Sequence, residues 1–346
     1  MLFKSGKSGF AALLAAVSAA SIGLSSGATR ADLTIVPTFD LTITSSSNAT
    51  YFESQINSAI STIDSYIANP ITVNIDFQAV TTGLGSSIAA GTQITYTQYL
   101  SDLKNQTFSA DDKTALATLP STNPVNQGTN VNMNTPLLRA LGDPKGDITG
   151  FDGTVFLNLG LMMLPTNNAA TNAGLYSTQT VAAHEIDEIL NIGGQGSNLN
   201  TAYNYGTSAM EYGPIGTMDL FRYSDPGIRS YSTSSSIVSY FSIDGGKTDL
   251  VHFNQNSNGD YGDWYGTTQV QNAFGFPGKV AYLGPNELTA LDVVGWNLTP
   301  AGTALETGVP IPEPPTLLLL IGLLPLLPRF RPHRNKPARH GQSYRD

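Results

Sequence analysis

The segment TQTVAAHEIDEILNIGG, residues 178–194, organises this chain. Its apolar residues recur at helical spacing, so the segment predicts an amphipathic helix. Thr178 or Thr180 can cap the start of that helix, and the pair Gly193–Gly194 can stop it. This helix holds one of only four histidines in the chain.

The stretch HEIDE within this helix resembles the HExxH motif of zinc peptidases, with Glu188 in place of the second histidine. Residues four apart lie on the same face of a helix, so His184 and Glu188 can grip one ion. Glutamate is a legitimate zinc ligand at about 2.0–2.2 Å. Glu185 points away from that face and could take a proton from a metal-bound water. The motif therefore predicts a zinc site with Glu185 as general base.

A catalytic zinc needs a third protein ligand and an open position. The compact metzincin continuation is absent, because Asn191 stands in place of its glycine and Gly194 in place of its third ligand. The third ligand must therefore come from further along the chain. His252 is favoured because imidazole is a softer ligand for zinc than a carboxylate. Asp219 is favoured because it follows the helix and its loop in the sequence, and Glu211 is a further candidate.

Hydrophobic periodicity outside this helix predicts an α+β fold. The predicted strands are 33–43, 71–80 and 153–164, and the predicted helices are 50–68, 97–106, 111–118, 135–142 and 286–296. Residues 195–285 are rich in Gly, Ser, Asn, Asp and Tyr. This order is that of a metzincin-like protease domain with a mixed sheet, an active-site helix and a loop-rich C-terminal lobe.

The chain divides into four parts. Residues 1–31 have a short basic start, an apolar stretch too short to span a bilayer and small residues for cleavage, which together predict a signal peptide. Residues 32–298 form the body of the protein, and residues 299–311 read as an extended linker rich in Pro and Gly. Residues 312–346 are a separate C-terminal tail. The body is therefore expected outside the cytoplasm.

The tail consists of the triplet Pro-Glu-Pro at 312–314, a Leu-rich run at 316–327 and a cluster of arginines. This order resembles a PEP-CTERM sorting signal. The resemblance implies a Gram-negative bacterium, a transient inner-membrane anchor and an exosortase-type enzyme that removes the tail. The protein would then be secreted or held at the cell surface or in the extracellular matrix. The alternative is a plain membrane anchor.

Acidic residues outnumber lysines and arginines by about three to one between the two terminal segments. Such a surface repels nucleic acid and anionic lipid, so neither is an expected partner. The chain has no cysteine, so the exported body relies on a conventional core. Acidic side chains can also bind a structural calcium ion, for which the candidates are Asp244, Asp249, Asp260 and Asp263.

Several longer blocks resemble a family of PEP-CTERM-tailed bacterial proteins described as zinc metalloproteases. The blocks are LTIVPTFD, ITVNIDF, HEIDEIL, DLFRYSDPGIRSY, YFSIDGGKTDLVHFNQNSNGDYGDW and ELTALDVVGW. The resemblance covers nearly all of 32–298, and it implies that HExxE is the normal form of the motif. It favours Asp219 as the third ligand, and the LDVVGW ending resembles the closing helix of matrixin-like proteases. The family usually has glycine at the position of Asn191.

The sequence thus predicts a secreted, zinc-dependent peptidase in which metal-activated water attacks the peptide bond. His184, Glu188 and Asp219 would hold the zinc, Glu185 would be the base, and the partners would be a peptide or protein substrate and the exosortase-type enzyme. The rival hypothesis is a non-catalytic extracellular matrix or surface protein with a structural or vestigial metal site. A metal titration separates the two, because a matrix protein need not bind stoichiometric zinc.

Overall fold

A computed structural model describes residues 32–106, 108–124, 130–166, 169–199 and 214–308. The predicted signal peptide and sorting tail lie outside these residues. Within the described part of the chain, none of the helices has the length and apolar character needed to cross a bilayer.

Eleven short strands and nine α-helices form the described part of the chain. The strands are β1 (Thr34–Phe39), β2 (Thr72–Ala79), β3 (Gly85–Ala89), β4 (Gly91–Thr95), β5 (Asn130–Asn134), β6 (Gly153–Leu157), β7 (Ile215–Gly216), β8 (Arg222–Asp225), β9 (Ile228–Arg229), β10 (Tyr240–Phe241) and β11 (Val251–His252). The helices are α1 (Leu41–Thr44), α2 (Ala49–Tyr66), α3 (Tyr96–Asn105), α4 (Ala110–Thr118), α5 (Thr135–Ala140), α6 (Ala169–Asn172), α7 (Thr178–Ile189), α8 (Pro285–Val294) and α9 (Pro300–Thr307).

The main sheet has the strand order β1-β2-β6-β3. Its first three strands are parallel, and β3 runs antiparallel to β6 at the edge. Helix α7 packs against β3 and β6, and α2 packs against α7. The edge strand and α7 therefore lie side by side, which places the side chains of α7 beside the open edge of the sheet.

Helix α7 is held by its cap and by its apolar face. Ser177, rather than Thr178 or Thr180, is the N-cap, and its hydroxyl accepts a hydrogen bond from the backbone of Thr180 at 3.2 Å. Ile186 and Ile189 are fully buried, and burial of each side chain stabilises the fold by about 1.5–3 kcal/mol. The helix can approach β6 closely because a Cβ at Gly153 would lie 2.6 Å from the Cδ1 of Ile189.

The end of α7 is fixed by Asn191, not by the glycines that follow. Asn191 has φ 77°, a left-handed conformation that only Gly and occasionally Asn or Asp adopt without large cost. Its side-chain amide donates to the hydroxyl of Thr217 at 3.0 Å and its carbonyl oxygen accepts from the backbone of Asn134. The indole of Trp296 donates to the carbonyl of Leu190 at 2.9 Å, so the LDVVGW block closes onto the end of α7.

Two smaller sheets complete the structure, with the orders β4-β5-β7 and β11-β10-β8-β9. The first contains both antiparallel and parallel pairs. The chain between β11 and α8 contains no regular strand or helix and is held by isolated bridges and aromatic packing. The prediction of an α+β fold with a mixed sheet is confirmed.

Three predicted segments differ from the structure. The strand expected over 153–164 ends at Leu157, and a 3₁₀ turn over Leu159–Leu161 follows it. The strand expected over 33–43 ends at Phe39, because the carboxylate of Asp40 accepts from the backbone of Thr42 at 2.8 Å and begins α1. The extended conformation expected for 299–311 is wrong over α9, which is capped by the hydroxyl of Thr299. Proline at the first position of a helix loses no hydrogen bond, so Pro300 favours the start of α9 rather than preventing it.

Candidate metal centre

Helix α7 directs three ionisable side chains into one cleft. His184 Nε2 lies 3.9 Å from Glu188 Oε1, as the spacing of four residues requires. The side chain of Glu188 is 5% exposed and that of His184 is 17% exposed. Glu185 is also buried, and a Cβ at Gly85 would lie 2.5 Å from its Oε1. Glycine at this position of β3 therefore makes room for the Glu185 carboxyl.

A third side chain that could bind a metal comes from the irregular segment between β11 and α8. Asp263 Oδ2 lies 3.6 Å from His184 Nε2, and the Asp263 side chain is 2% exposed. Ligand atoms of His184, Glu188 and Asp263 all lie within 4.8 Å of one another. Within the described ranges, this is the only group of three or more His, Asp or Glu side chains that close together. A buried His/Glu/Asp group that could hold a metal ion is therefore present.

Aromatic packing fixes Asp263 beside α7. The next residue, Trp264, is fully buried, and its ring lies 5.4 Å from that of Phe241 and 5.1 Å from that of Phe253. The backbone N–H of Trp264 donates to the carbonyl of Gln271 at 2.9 Å. Rigid packing of this kind holds a ligand in place better than a free loop does.

The tautomer of His184 suits a metal ligand. Its Nδ1 lies 3.0 Å from the backbone carbonyl of Val270, so this nitrogen carries a hydrogen and Nε2 faces the carboxylates. Burial lowers the pKa of His184, but the negative charges of Asp263, Glu185 and Glu188 outweigh burial and raise this pKa to about 10. A metal ion must therefore displace a proton from Nε2.

Two further groups hydrogen-bond to Glu188, and a fourth carboxylate lies nearby. Its Oε2 accepts a hydrogen bond from the hydroxyl of Ser87 on β3. Its carboxyl is also hydrogen-bonded to that of Glu185. Burial and the charge of Glu188 raise the pKa of Glu185 well above its usual value. A Cβ at Gly194 would lie 2.4 Å from Glu188 Oε1 and 2.9 Å from Asp260 Oδ2, so Asp260 is a fourth carboxylate beside the cluster.

The cluster lies in a cleft of about 830 Å³. Its walls are formed by the edge strand β3, the beginning of β4, the end of β5, α7 and parts of the segments 194–198 and 258–276. The volume is in the range of sites for small molecules or short peptide segments. His184, Glu185, Glu188 and Asp263 all line this cleft.

The structure does not bring Asp219 to the cluster. Asp219 is buried and accepts hydrogen bonds from Ser197 Oγ at 2.6 Å, Asn198 N at 2.9 Å and Gly216 N at 3.0 Å. Its oxygens are thus occupied by donors of the protein, and the position assigned to it by sequence is taken by Asp263. The positive charge of Arg222 also acts on Asp219.

Of the other two candidates for the third ligand, His252 is also separate from the cluster. His252 is 47% exposed and its Nε2 lies 2.8 Å from Asp249. Glu211 lies outside the described residues. The calcium site expected from four aspartates does not assemble in the described ranges. The carboxylate of Asp244 accepts hydrogen bonds from the backbone N–H groups of Lys247 and Thr248 and so stabilises its own turn.

Sequence reasoning missed Asp263 as the third ligand and named it only among the calcium candidates. The block NGDYGDW places Asp263 directly before Trp264, and because tryptophan is highly buried on average, this neighbour is a signal for an acid held near the interior. That signal alone does not indicate which distant residue the aspartate meets.

Comparisons of the chain with protein-family models, with curated proteins and with solved structures found no match. The site must therefore be interpreted from its own geometry.

Proposed function

We propose that this protein is a zinc-dependent peptidase of metzincin-like fold, with His184, Glu188 and Asp263 as metal ligands and Glu185 as general base. The observation that carries the proposal is the buried His/Glu/Asp group with one further glutamate beside it, in an open cleft. Ligands from a helix and from a distant loop are typical of catalytic sites with three protein ligands and an open position.

The donor set fits zinc. Zinc accepts imidazole nitrogen and carboxylate oxygen at about 2.0–2.2 Å, so ligand atoms around a tetrahedral ion are about 3.3–3.6 Å apart. His184 Nε2 lies 3.6 Å from Asp263 and 3.9 Å from Glu188, so each of these two pairs is within a few tenths of an ångström of that spacing, and all three ligand atoms lie within 4.8 Å of one another. A bound zinc ion would supply Lewis acidity and a more acidic water. Two carboxylate ligands offset more of the ion's charge than two histidines would.

Glu185 is suited to accept and return a proton. It is buried beside the ligands without being one of the three, and its pKa is raised by burial and by the charge of Glu188. A general base works best when its pKa lies near the working pH. A cation held by His184, Glu188 and Asp263 would lower the pKa of Glu185 from its high value toward that range.

The edge strand offers a place for an extended substrate. Even-numbered residues of 84–90 hydrogen-bond toward β6, so the backbone groups of Gly85, Ser87 and Ala89 face the open edge. Gln195 already donates to the carbonyl of Ser87 at 3.2 Å. A peptide added along this edge would pass beside α7. The acidic cleft favours substrates without negative charge near the cut bond.

The proposal includes export. The signal peptide at 1–31 and the PEP-CTERM-like tail at 312–346 would take the protein to the cell surface or extracellular matrix of a Gram-negative bacterium. An exosortase-type enzyme would remove the tail after a transient inner-membrane stage, and a peptide or protein would be the substrate.

The substitution Glu185→Gln tests this function. It should leave one zinc ion per chain, because Glu185 is not a ligand, and lower cleavage of fluorescently labelled casein by about 10²–10⁴-fold, the usual worth of proton transfer. Glu53→Gln, on α2 and away from the cleft, is the control and should behave like the parent. A parent that binds zinc but cleaves neither casein nor a peptide library would instead favour a non-catalytic matrix protein.

A further inference from the structure

Gln271 is buried directly behind the ligand cluster. Its side chain is fully buried, and it is not among the residues that line the cleft. Its terminal amide nitrogen lies 3.3 Å from His184 Nε2 and 3.0 Å from Asp263 Oδ1. One side-chain atom thus contacts two of the three proposed ligands, from the side opposite the open cleft.

The backbone holds Gln271 in this place. Its N–H donates to Glu287 Oε1 on α8 at 2.9 Å, and its carbonyl accepts from Trp264 N at 2.9 Å. Gly193 leaves the space that the side chain fills, because a Cβ at Gly193 would lie 2.0 Å from Gln271 Nε2. Two backbone hydrogen bonds and the space beside Gly193 therefore hold Gln271 against the proposed ligands.

The side-chain oxygen of Gln271 makes no hydrogen bond within the protein. This oxygen, Oε1, is buried. A buried acceptor without a donor costs about 1–3 kcal/mol, so such a group needs a reason. The nitrogen and oxygen of an amide exchange places when the group turns over.

We propose that Gln271 is a fourth protein ligand of the metal, through Oε1, after its amide turns over. The proposal deepens the proposed function, since it rests on the metal site of His184, Glu188 and Asp263. The turned oxygen would lie 3.3 Å from His184 Nε2, which matches the spacing of about 3.3–3.6 Å between ligands of one zinc ion. The unpartnered oxygen then gains the cation, and the amide N–H groups move to the place that Oε1 now occupies and give up the hydrogen bond to Asp263.

A ligand from below the cleft has a consequence for the reaction. With four protein ligands, water or substrate on the cleft side would make the ion five-coordinate, and Gln271 adds no charge, because an amide is neutral. The amide would also occupy the interior of the site in the metal-free protein, with Nε2 donating to Asp263. Metal uptake would therefore require rotation of one buried side chain but no movement of the backbone.

The test uses the full-length protein, zinc and cobalt(II), with affinity measured by chelator competition. Gln271→Met keeps an unbranched side chain of similar size but removes the amide. It should bind zinc about 10–100-fold more weakly, the usual cost of losing a supporting group at a metal site. The visible absorption of its cobalt form should differ from that of the parent, because one ligand is missing. Gln271→Glu, which keeps an oxygen in place, should bind zinc at least as well as the parent.

Gln195→Met is the matched control, because Gln195 lies in the same cleft and donates only to Ser87. Circular dichroism of each metal-free variant shows whether it folds. If Gln271→Met does not fold, the zinc affinity and cobalt spectrum of Gln271→Glu are compared with those of the parent instead. Parent affinity and a parent cobalt spectrum in Gln271→Met would overturn the proposal. Weaker binding with an unchanged cobalt spectrum would also overturn it, because Gln271 would then only hold Asp263. A parent that binds neither metal would refute the proposed function itself.

Discussion

Asp219 and Asp263 are both buried aspartates that follow the motif helix, yet their surroundings are opposite. Asp219 accepts three hydrogen bonds from the chain and is near Arg222. Asp263 accepts one hydrogen bond, from Gln271, and faces His184 and other carboxylates. Burial raises the pKa of both, and that of Asp263 reaches about 8.

The difference between Asp219 and Asp263 indicates how a structural carboxylate can be distinguished from a metal ligand. The oxygens of Asp219 accept hydrogen bonds that tie Ser197 and Asn198 to β7, and these bonds occupy three of the roughly four lone-pair positions of the carboxylate. Asp263 has few donors and like charges around it, a costly arrangement unless a cation joins it. The low donor count of Asp263, together with its place beside His184 and Glu188, therefore favours it over Asp219 as the proposed ligand.

The largest effect on stability is expected at Asp219. Asp219→Ala leaves three donors unsatisfied and removes the negative charge near the buried guanidinium of Arg222. The free energy of unfolding should fall by about 3–5 kcal/mol, the range for a buried pair that loses one partner. Urea unfolding followed by tryptophan fluorescence measures this change. Asp225→Ala, at an exposed position of β8, should change it by less than about 0.5 kcal/mol.

The second effect is expected at Glu188, on the helix side of the cluster. Glu188→Ala removes a ligand and should weaken zinc binding by more than about 100-fold, or about 2.7 kcal/mol. Isothermal titration at neutral pH measures the affinity, with Glu185→Gln as the neighbour that should retain it. Equal zinc affinities for Glu188→Ala and the parent would mean that α7 is not the metal helix.

A smaller effect is expected at Asp292, a third buried aspartate that has one donor and no cation. It accepts from Ser109 Oγ at 2.6 Å, and burial, together with the charges of Asp112, Glu306 and Asp111, raises its pKa to about 8. A carboxyl with a raised pKa contributes stability at low pH that is lost as the pH rises through the folded value.

Asp292→Asn should therefore unfold like the parent at about pH 3, below the ordinary pKa of an aspartate, but be more stable at pH 9 by about 1 kcal/mol or more. The asparagine still accepts from Ser109 and cannot ionise. Thermal unfolding at the two pH values checks the sign. If the gain were the same at both, ionisation of Asp292 would not be its cause.

The sequence predicted those features that depend on local spacing. Helix α7 and the pair His184 and Glu188 follow from a period of 3.6 residues, which a short segment displays in full. The third ligand does not follow in this way, because Asp263 is separated from His184 by an irregular segment and by β7–β11. Long-range packing of Trp264 places it, and no spacing along the chain reports that packing.

Local chemistry also explains two of the segments that differ, 33–43 and 299–311. Asp40 is a cap rather than a strand residue, and its side chain outweighs the β-forming residues on both sides. Pro300 and Gly302 gave 299–311 the composition of a linker, although Thr299 followed by proline is a helix start. In each case one side-chain hydrogen bond decides the conformation where composition was ambiguous.

The zinc affinities of Asp263→Ala and Asp219→Asn, measured side by side on folded protein, test the central claim most directly. Asp263→Ala should bind zinc weaker by more than about 100-fold, because a ligand is gone, while Asp219→Asn should bind like the parent despite its lower stability. Weak binding by Asp219→Asn together with parent affinity in Asp263→Ala would contradict the account and return the third ligand to Asp219.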